Sequence, residues 1–427
     1  MMKKTLDVYL RDRLVGKLFS EQGTLSYVYD AAYLQSSDAV KISVSLPLGT
    51  EEFSHSAVAA FFSGLLPDEA VRVRLAKYLG LSDKNIFGLL EAIGGDCAGA
   101  ISVYPEGKKI ASSVSPTYKV LSDDEADEIL SSLDKRPMLV GEDDVRISGA
   151  GAQDKLMIAF VDGKIAIPTG QTPSTHIIKP PIKGHPDSVH NEFFCMRLAA
   201  AVGLPVPKAD IYWLKDKPYY LVERYDRRKN ADGVFTRLHQ EDFCQALHVP
   251  PELKYENEGG PSLEQCFGLL DTRIKSGSMA GKNKITLLQG VIFNYLIGNG
   301  DAHGKNFSLL YDGEAESLAP FYDLLSTVIY SDLHKVKMAM KIGGTYKFTD
   351  VTDRHWMKLA ETIGVRPDFM ERQILTMANA LQREIGFLYN ELNDNPLTAS
   401  SVYEKIINIL AHNHKYLRDE IIAKTQM

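Results

Sequence analysis

The most apolar helical pattern of the chain, Ile285–Ile297, runs almost directly into the polar segment Gly300-Asp301-Ala302-His303-Gly304-Lys305-Asn306. A helix that is apolar on most of its faces has to be buried, so this pattern demands a substantial helical core. The segment leaving it carries an acid, an imidazole, a cation and an amide in quick succession. Polar groups emerging from a core need water or a ligand around them. The segment is the sharpest candidate for chemistry in the chain.

The texture before and after this point differs. Leu6–Leu10, Ser26–Tyr29, Val44–Leu46 and Ala100–Tyr104 read as strands, with helical spacing at Ala57–Leu66 and at Glu69–Leu79, which Gly80 stops. The Ser-, Pro- and Lys-rich stretch 105–118 reads as a connection. Val145–Ser148, Lys155–Phe160, His176–Lys179, Ile211–Leu214 and Tyr219–Glu223 form a second group of strands, interrupted by a helix at Val189–Val202 that Gly203 ends. Beyond Glu223 strand signals fade and helices are expected to dominate. The fold class this predicts is α+β and bilobal, a sheet-rich N-lobe with an extra N-terminal subdomain and a helical C-lobe. The expected units are 1–110, 111–225 and 226–427, consistent with a prior of two or three domains for 427 residues.

Composition removes several function classes. A net charge of -7 excludes a general basic coat for nucleic acid, though not a local patch. No apolar run approaches the ~20 residues of a membrane span. Lys3 and Lys4 are followed by Thr5-Leu6-Asp7, not by the apolar stretch of a signal peptide, so a cytoplasmic location is expected. Cys97, Cys195, Cys244 and Cys266 show no C-x-x-C pairing and read as reduced core thiols.

Asp301 and Asn306 have the separation found in the protein-kinase catalytic loop. There the Asp accepts the proton of the nucleophile and the Asn ligates Mg²⁺. His303 adds a feature shared with phosphatidylinositol-type lipid kinases. Phe321-Tyr322-Asp323 offers a second acid for the metal, with strand-like Phe307–Tyr311 between; the alternative for Asp323 is a helix N-cap before Leu324. Upstream, the glycines of Ser148-Gly149-Ala150-Gly151-Ala152-Gln153-Asp154-Lys155 could let backbone N–H groups approach phosphates, or could make a tight hairpin. His176-Ile177-Ile178-Lys179 has the form of the kinase lysine strand, and Glu192 in the next helix is the candidate ion-pair partner of Lys179. Alone, each has an ordinary structural reading. Their chain order makes a constellation.

With that order in view, the chain resembles the HipA family of bacterial serine/threonine kinases, the toxin half of HipBA toxin–antitoxin modules. The resemblance extends through Ser43-Val44-Ser45-Leu46-Pro47-Leu48, Gly64-Leu65-Leu66-Pro67-Asp68, Glu91-Ala92-Ile93-Gly94-Gly95-Asp96, Arg146-Ile147-Ser148, Asn191–Cys195 and Val222–Arg228. It implies ATP and Mg²⁺ as cofactors and Asp301 as catalytic base. Asn306 and Asp323 would be metal ligands. Ala150, Gly151, Ala152, Gln153, Asp154, Lys155, Lys179, His303, Lys305 and Tyr322 would handle the nucleotide, with Glu223, Arg224 and Tyr225 as the hinge meeting adenine. Ser148 falls where the family autophosphorylates. The implied partners are a HipB-like helix-turn-helix antitoxin, operator DNA through that complex, and a translation component of the aminoacyl-tRNA synthetase type as substrate. Ala302 and Gly304 swap small residues in the loop, and Asp154 stands where Glu is common.

Two other functions stay open at this level. One is a largely non-catalytic corepressor that holds an antitoxin on operator DNA; the other is a small-molecule or lipid kinase. Ser148 has an ordinary reading too, as a half-buried strand hydroxyl. His412 and His414, two residues apart on a helix, point about 200° apart and read as surface residues. Trp213 and Trp356 read as core anchors.

Overall fold

The computed structural model describes residues 3–108, 116–142, 144–331 and 335–425, the stretch 415–425 by its backbone path alone. Part of the expected connection 105–118 thus lies outside the described residues.

Near the N-terminus, alternating apolar residues build an antiparallel sheet of β1 (Lys4–Leu10), β2 (Arg13–Glu21), β3 (Thr24–Tyr29) and β4 (Ile101–Pro105), in the order β3-β2-β1-β4. Helices His55–Gly64, Glu69–Leu79 and Ile86–Ile93 lie between β3 and β4 in the chain. The second of these ends where Gly80 turns left-handed at φ 66°, a conformation that costs an L-residue with a Cβ. Leu6, Val8, Leu18, Tyr27, Phe61, Phe62 and Leu90 share one buried core between sheet and helices. Each such side chain contributes roughly 1.5–3 kcal/mol by leaving water.

A second, six-stranded sheet holds β5 (Tyr118–Val120), β6 (Leu156–Val161), β7 (Lys164–Pro168), β8 (His176–Lys179), β9 (Ala209–Leu214) and β10 (Lys217–Glu223), ordered β5-β7-β6-β8-β10-β9. Helix Ser188–Ala201 connects β8 to β9 and carries Val189, Phe193 and Phe194 into the large core of the helical half. That core belongs mainly to helices Leu263–Lys275, Lys282–Leu296, Asp353–Thr362, Pro367–Asn393 and Val402–Thr425. Trp356 is fully buried in it, whereas Trp213 is half-buried and donates its indole N–H to the Leu397 carbonyl at 2.7 Å. The four cysteines are free and buried. His412 is exposed, His414 partly so.

Three local expectations fail. Ser43 and Leu46 only bridge each other, so Val44–Leu46 is a loop and not a strand. Val145–Ser148 is no strand either: Ile147 makes a single bridge to Asp96. Past Glu223 the expected strand at Phe307–Tyr311 is present as Ser308–Asp312, but strand content also occurs where none was expected, in Arg227–Lys229, Phe235–Arg237, His239–Asp242, Ala315–Leu318, Lys337–Ile342 and Thr345–Lys347. The unexpected strand His239–Asp242 fixes the polar loop after the central helix. Ser308–Asp312 pairs antiparallel with His239–Asp242, Ser308 opposite Asp242, which pins the exit of 301–306. The central helix itself is buried except at its start, where Ile285 is exposed.

Candidate active site

The N-terminal subdomain, the second sheet and the helical half meet around a cleft of about 690 Å³. Its walls include every residue that the sequence suggested for the site, from Ser148 to Lys155, through Lys179, Glu192 and 223–225, to Asp301, His303, Lys305, Asn306, Tyr322 and Asp323.

Lys179 closes β8, opposite Tyr220 of β10. Its buried ammonium donates to Glu192 Oε1 at 2.7 Å and also to Asp323 Oδ1. Burial would discharge a lone lysine, but the two carboxylates outweigh it and hold Lys179 above its usual range. Asp323 moves the other way. Burial raises it, yet Lys179 and Lys155 together pull it below ordinary carboxylates. Glu192 is left with the smaller share of the charge, and burial pushes its carboxyl up to about 7. Asp323 sits at φ 53°, tolerated by Asp better than by most residues. No helix follows it, so the N-cap reading of Asp323 is overturned.

The loop at 148–155 is not a hairpin, because Val145–Ser148 is not a strand. Ser148 is fully buried, its hydroxyl donating to the Leu65 carbonyl at 2.6 Å. Gly149 is packed against the Met157 side chain where a Cβ would clash, and Gly151 is left-handed at φ 107°. The Asp68 N–H donates to the Gly151 carbonyl at 3.1 Å. Lys155 turns its ammonium back onto the Ala150 carbonyl at 2.6 Å, and burial pushes it down to about 8. Gln153 donates to the Pro180 carbonyl, and Asp154 pairs with Arg74.

On the opposite wall, Asp301 accepts a hydrogen bond from the Tyr255 hydroxyl at 2.6 Å, and burial raises its carboxyl. Asn306 donates its amide N–H to the Asp301 carbonyl at 2.8 Å. The amide nitrogen is thus in use, and Asn306 Oδ1, in the cleft wall, is the atom of this side chain that could serve a metal. His303 is buried and neutral, pushed down to about 3 by burial and the nearby lysines. Lys305 does not reach into the cleft as a free cation. It is held by both oxygens of Asp68. The Tyr322 hydroxyl donates to the Lys305 carbonyl at 2.7 Å, and its ring stacks on Tyr225.

The hinge is more occupied than expected. The Glu223 and Arg224 N–H groups already donate to the Lys208 and Thr175 carbonyls, each at 2.9 Å. The Arg224 guanidinium points into a buried network with Asp226 at 2.7 Å and Asp96 at 3.4 Å, which also takes in Arg227 and Arg237. Arg224 is therefore a structural cation, and an incoming base would be left with the remaining groups around Tyr225.

A hard divalent cation prefers a few oxygen ligands and keeps waters or phosphate oxygens for the rest. The ionised Asp323 carboxylate and the Asn306 side-chain oxygen, both in the cleft wall, fit that demand. Among the described residues no cluster of three or more His, Cys, Asp or Glu would hold a metal by protein alone, as a metal shared with a phosphate would not require.

Asp68, Tyr255 and Asp96 were not legible as site residues. Asp68 and Asp96 fall within family-like segments that imply no role for them, and nothing in the spacing around Tyr255 marks it.

Models of two families match the chain: the HipA N-terminal domain over residues 6–104, and the HipA-like C-terminal domain over residues 147–385. A Sinorhizobium fredii protein, Y4mE, provisionally named a kinase, is 41% identical over 398 residues, covering 92% of this chain and 94% of that protein. The serine/threonine-protein kinase toxin HipA of Shewanella oneidensis is 29% identical over 430 residues, 97% of this chain and 96% of that one. A solved complex of Shewanella oneidensis HipA, HipB and its operator DNA superposes with a TM-score of 0.81 at 28% identity, over 96% of this chain and 97% of that chain.

Proposed function

Since this chain belongs to the HipA family and is a kinase of the serine/threonine type, we propose that it uses ATP and Mg²⁺ to phosphorylate a translation component, of the aminoacyl-tRNA synthetase class, as the toxin of a HipBA-like pair. The observation that carries this reading is the shared cleft. Lys179, held by Glu192 and Asp323, stands in it together with Asp301 and Asn306.

ATP bound with Mg²⁺ supplies the transferable phosphoryl group and the charge neutralisation it needs. In this reading Asp323 and Asn306 hold the metal. Lys179 and the N–H groups of 150–155 meet the phosphates, and Lys155 would turn from the Ala150 carbonyl towards them. Asp301 accepts the proton of the attacking serine or threonine hydroxyl. Neutral His303 adds no charge beside the base. We assign the units 1–110, 111–225 and 226–427 as N-terminal subdomain, nucleotide-binding lobe and catalytic helical lobe.

The solved relative was crystallised with HipB and operator DNA, which supports a HipB-like antitoxin and, through it, operator DNA as partners here. No helix among the described residues is long and apolar enough to cross a membrane. A pure corepressor has no use for a buried lysine held between two acids beside a metal-ready amide. The deciding experiment pairs wild type with Asp301→Asn, incubated with Mg²⁺, [γ-³²P]ATP and a panel of purified aminoacyl-tRNA synthetases. Label should enter protein with wild type and fall ~10²–10⁴-fold with the variant, while ATP still binds. Label entering lipid or a small molecule instead would move the assignment to another kinase class.

A further inference from the structure

Kinase-type chemistry asks one oxygen of Asp301 to face the acceptor hydroxyl, and a carboxylate free to rotate would present that geometry only part of the time. In this chain the carboxylate is not free. The Tyr255 hydroxyl donates to Asp301 Oδ1 at 2.6 Å, while the Asp301 side chain remains 46% exposed towards the cleft. Burial and the Asp301 charge push the Tyr255 phenol up, so it keeps its proton and acts as donor.

Tyr255 is itself fixed from several sides. Its carbonyl accepts the N–H groups of Glu258 at 3.0 Å and Gly260 at 2.8 Å. Its ring meets His303 edge-on, with centroids 5.1 Å apart. The neighbouring Lys254 is buried and ion-paired with Glu69 of the N-terminal subdomain at 2.6 Å. A rigid phenol thus reaches the acid from a segment far from the catalytic loop in sequence.

We infer that Tyr255 is a positioning residue for Asp301: it holds one carboxylate oxygen so that the other is aimed at the acceptor serine or threonine. The inference rests on the kinase reading above. It assigns the Lys254-Tyr255 segment a part in orienting the base, alongside its packing. Holding a reacting group within a fraction of an ångström is worth up to ~10²-fold in rate, so the missing hydroxyl should be felt in turnover.

Tyr255→Phe removes the hydroxyl and keeps the ring against His303. Transfer from Mg²⁺ and [γ-³²P]ATP to protein is measured with the same synthetase panel, for wild type, Tyr255→Phe, Asp301→Asn and the double variant. The saturating rate of Tyr255→Phe should fall ~10- to 100-fold, with the KM for ATP within about two-fold of wild type and the melting temperature nearly unchanged. In the Asp301→Asn background the same change should cost little more, because Tyr255 acts through Asp301. A rate equal to or above wild type would overturn the inference, a gain marking the phenol as a plug on the base. Multiplying losses in the double variant would overturn it as well. Wild type that transfers no label to protein would instead sink the kinase reading on which it stands.

Discussion

Lys305 and Asp68 stand 237 residues apart in the chain, yet the lysine ammonium lies 2.6 and 2.7 Å from the two oxygens of the Asp68 carboxylate, both side chains buried. The same short segment reaches the other functional loop: the Leu65 carbonyl takes the Ser148 hydroxyl, and the Asp68 N–H donates to the Gly151 carbonyl. Leu65–Asp68 therefore touches the 148–155 loop and the 301–306 loop at once.

Breaking a buried ion pair from one side leaves the other charge uncompensated, at a cost of roughly 3–5 kcal/mol. Asp68→Asn is expected to destabilise the protein on that scale and to lower phosphotransfer. The double change Asp68→Leu with Lys305→Met should recover much of the stability, since no charge is stranded. Urea unfolding of wild type and the two variants checks this; Asp68→Asn as stable as wild type would contradict the energetic role given to the pair.

Asp323→Ala separates the metal from the ion pair. In the proposed reading this carboxylate holds the metal of a bound nucleotide, so ATP affinity with Mg²⁺ should fall roughly 10- to 100-fold, the scale of damage around metal sites. Without Mg²⁺ the variant should bind ATP as well as wild type or better, because Lys179 is released towards the phosphates. Calorimetric titration with and without Mg²⁺ reads the difference, and equal losses in both would argue against metal ligation.

Ser148 is 1% exposed and its hydroxyl is in use. A phosphate of about -1.5 to -2 charge cannot be buried there without partners. Phospho-Ser148 protein is therefore expected to have 148–155 displaced and to bind ATP at least ~10-fold more weakly, ~1.4 kcal/mol. Asp301→Asn protein should purify without the phosphate. Intact-mass spectrometry and nucleotide titration test both statements; equal ATP affinity of the two forms would remove the switch.

His239 gives a pH dependence of known sign. It is 2% exposed, donates Nε2–H to the Ile42 carbonyl at 2.7 Å, and burial pushes it down to about 4. The folded state thus resists a proton that the unfolded chain takes up near pH 6.5. Its stabilising effect is complete above pH 6.5 and is lost as pH falls from there through about 4. The full loss is on the order of 3 kcal/mol. His239→Gln, which can still donate to Ile42, should flatten part of the fall in melting temperature between pH 6.5 and 4.5. An unchanged slope would assign the acid lability to other groups.

Local order set what could be read in advance. Lys179 at a strand end, Glu192 within the next helix and the Asp301–Asn306 loop after an apolar helix are each written in short-range periodicity, and Gly80 and Gly203 mark helix ends through a backbone preference. Their meeting in one cleft follows from chain order once the lobes are recognised. The failures are equally physical. Val145–Ser148 has strand-like residues, but the Ser148 N–H donates to the Asp96 carbonyl, and the Asp96 N–H donates to that of Arg146, in place of a neighbouring strand. Apart from Ser308–Asp312, which was legible, the late strands run only three to six residues, too short for alternation to stand out. Tyr255 on Asp301, Asp68 on Lys305 and Arg224 turned into the Asp96–Asp226 network join residues from separate parts of the chain. A charge or hydroxyl in sequence carries no sign of which distant partner will share its burial. The sequence determined the order and local form of the catalytic parts; only the packing of the N-terminal subdomain against both lobes decided which polar groups stay free for chemistry and which are consumed in holding the others still.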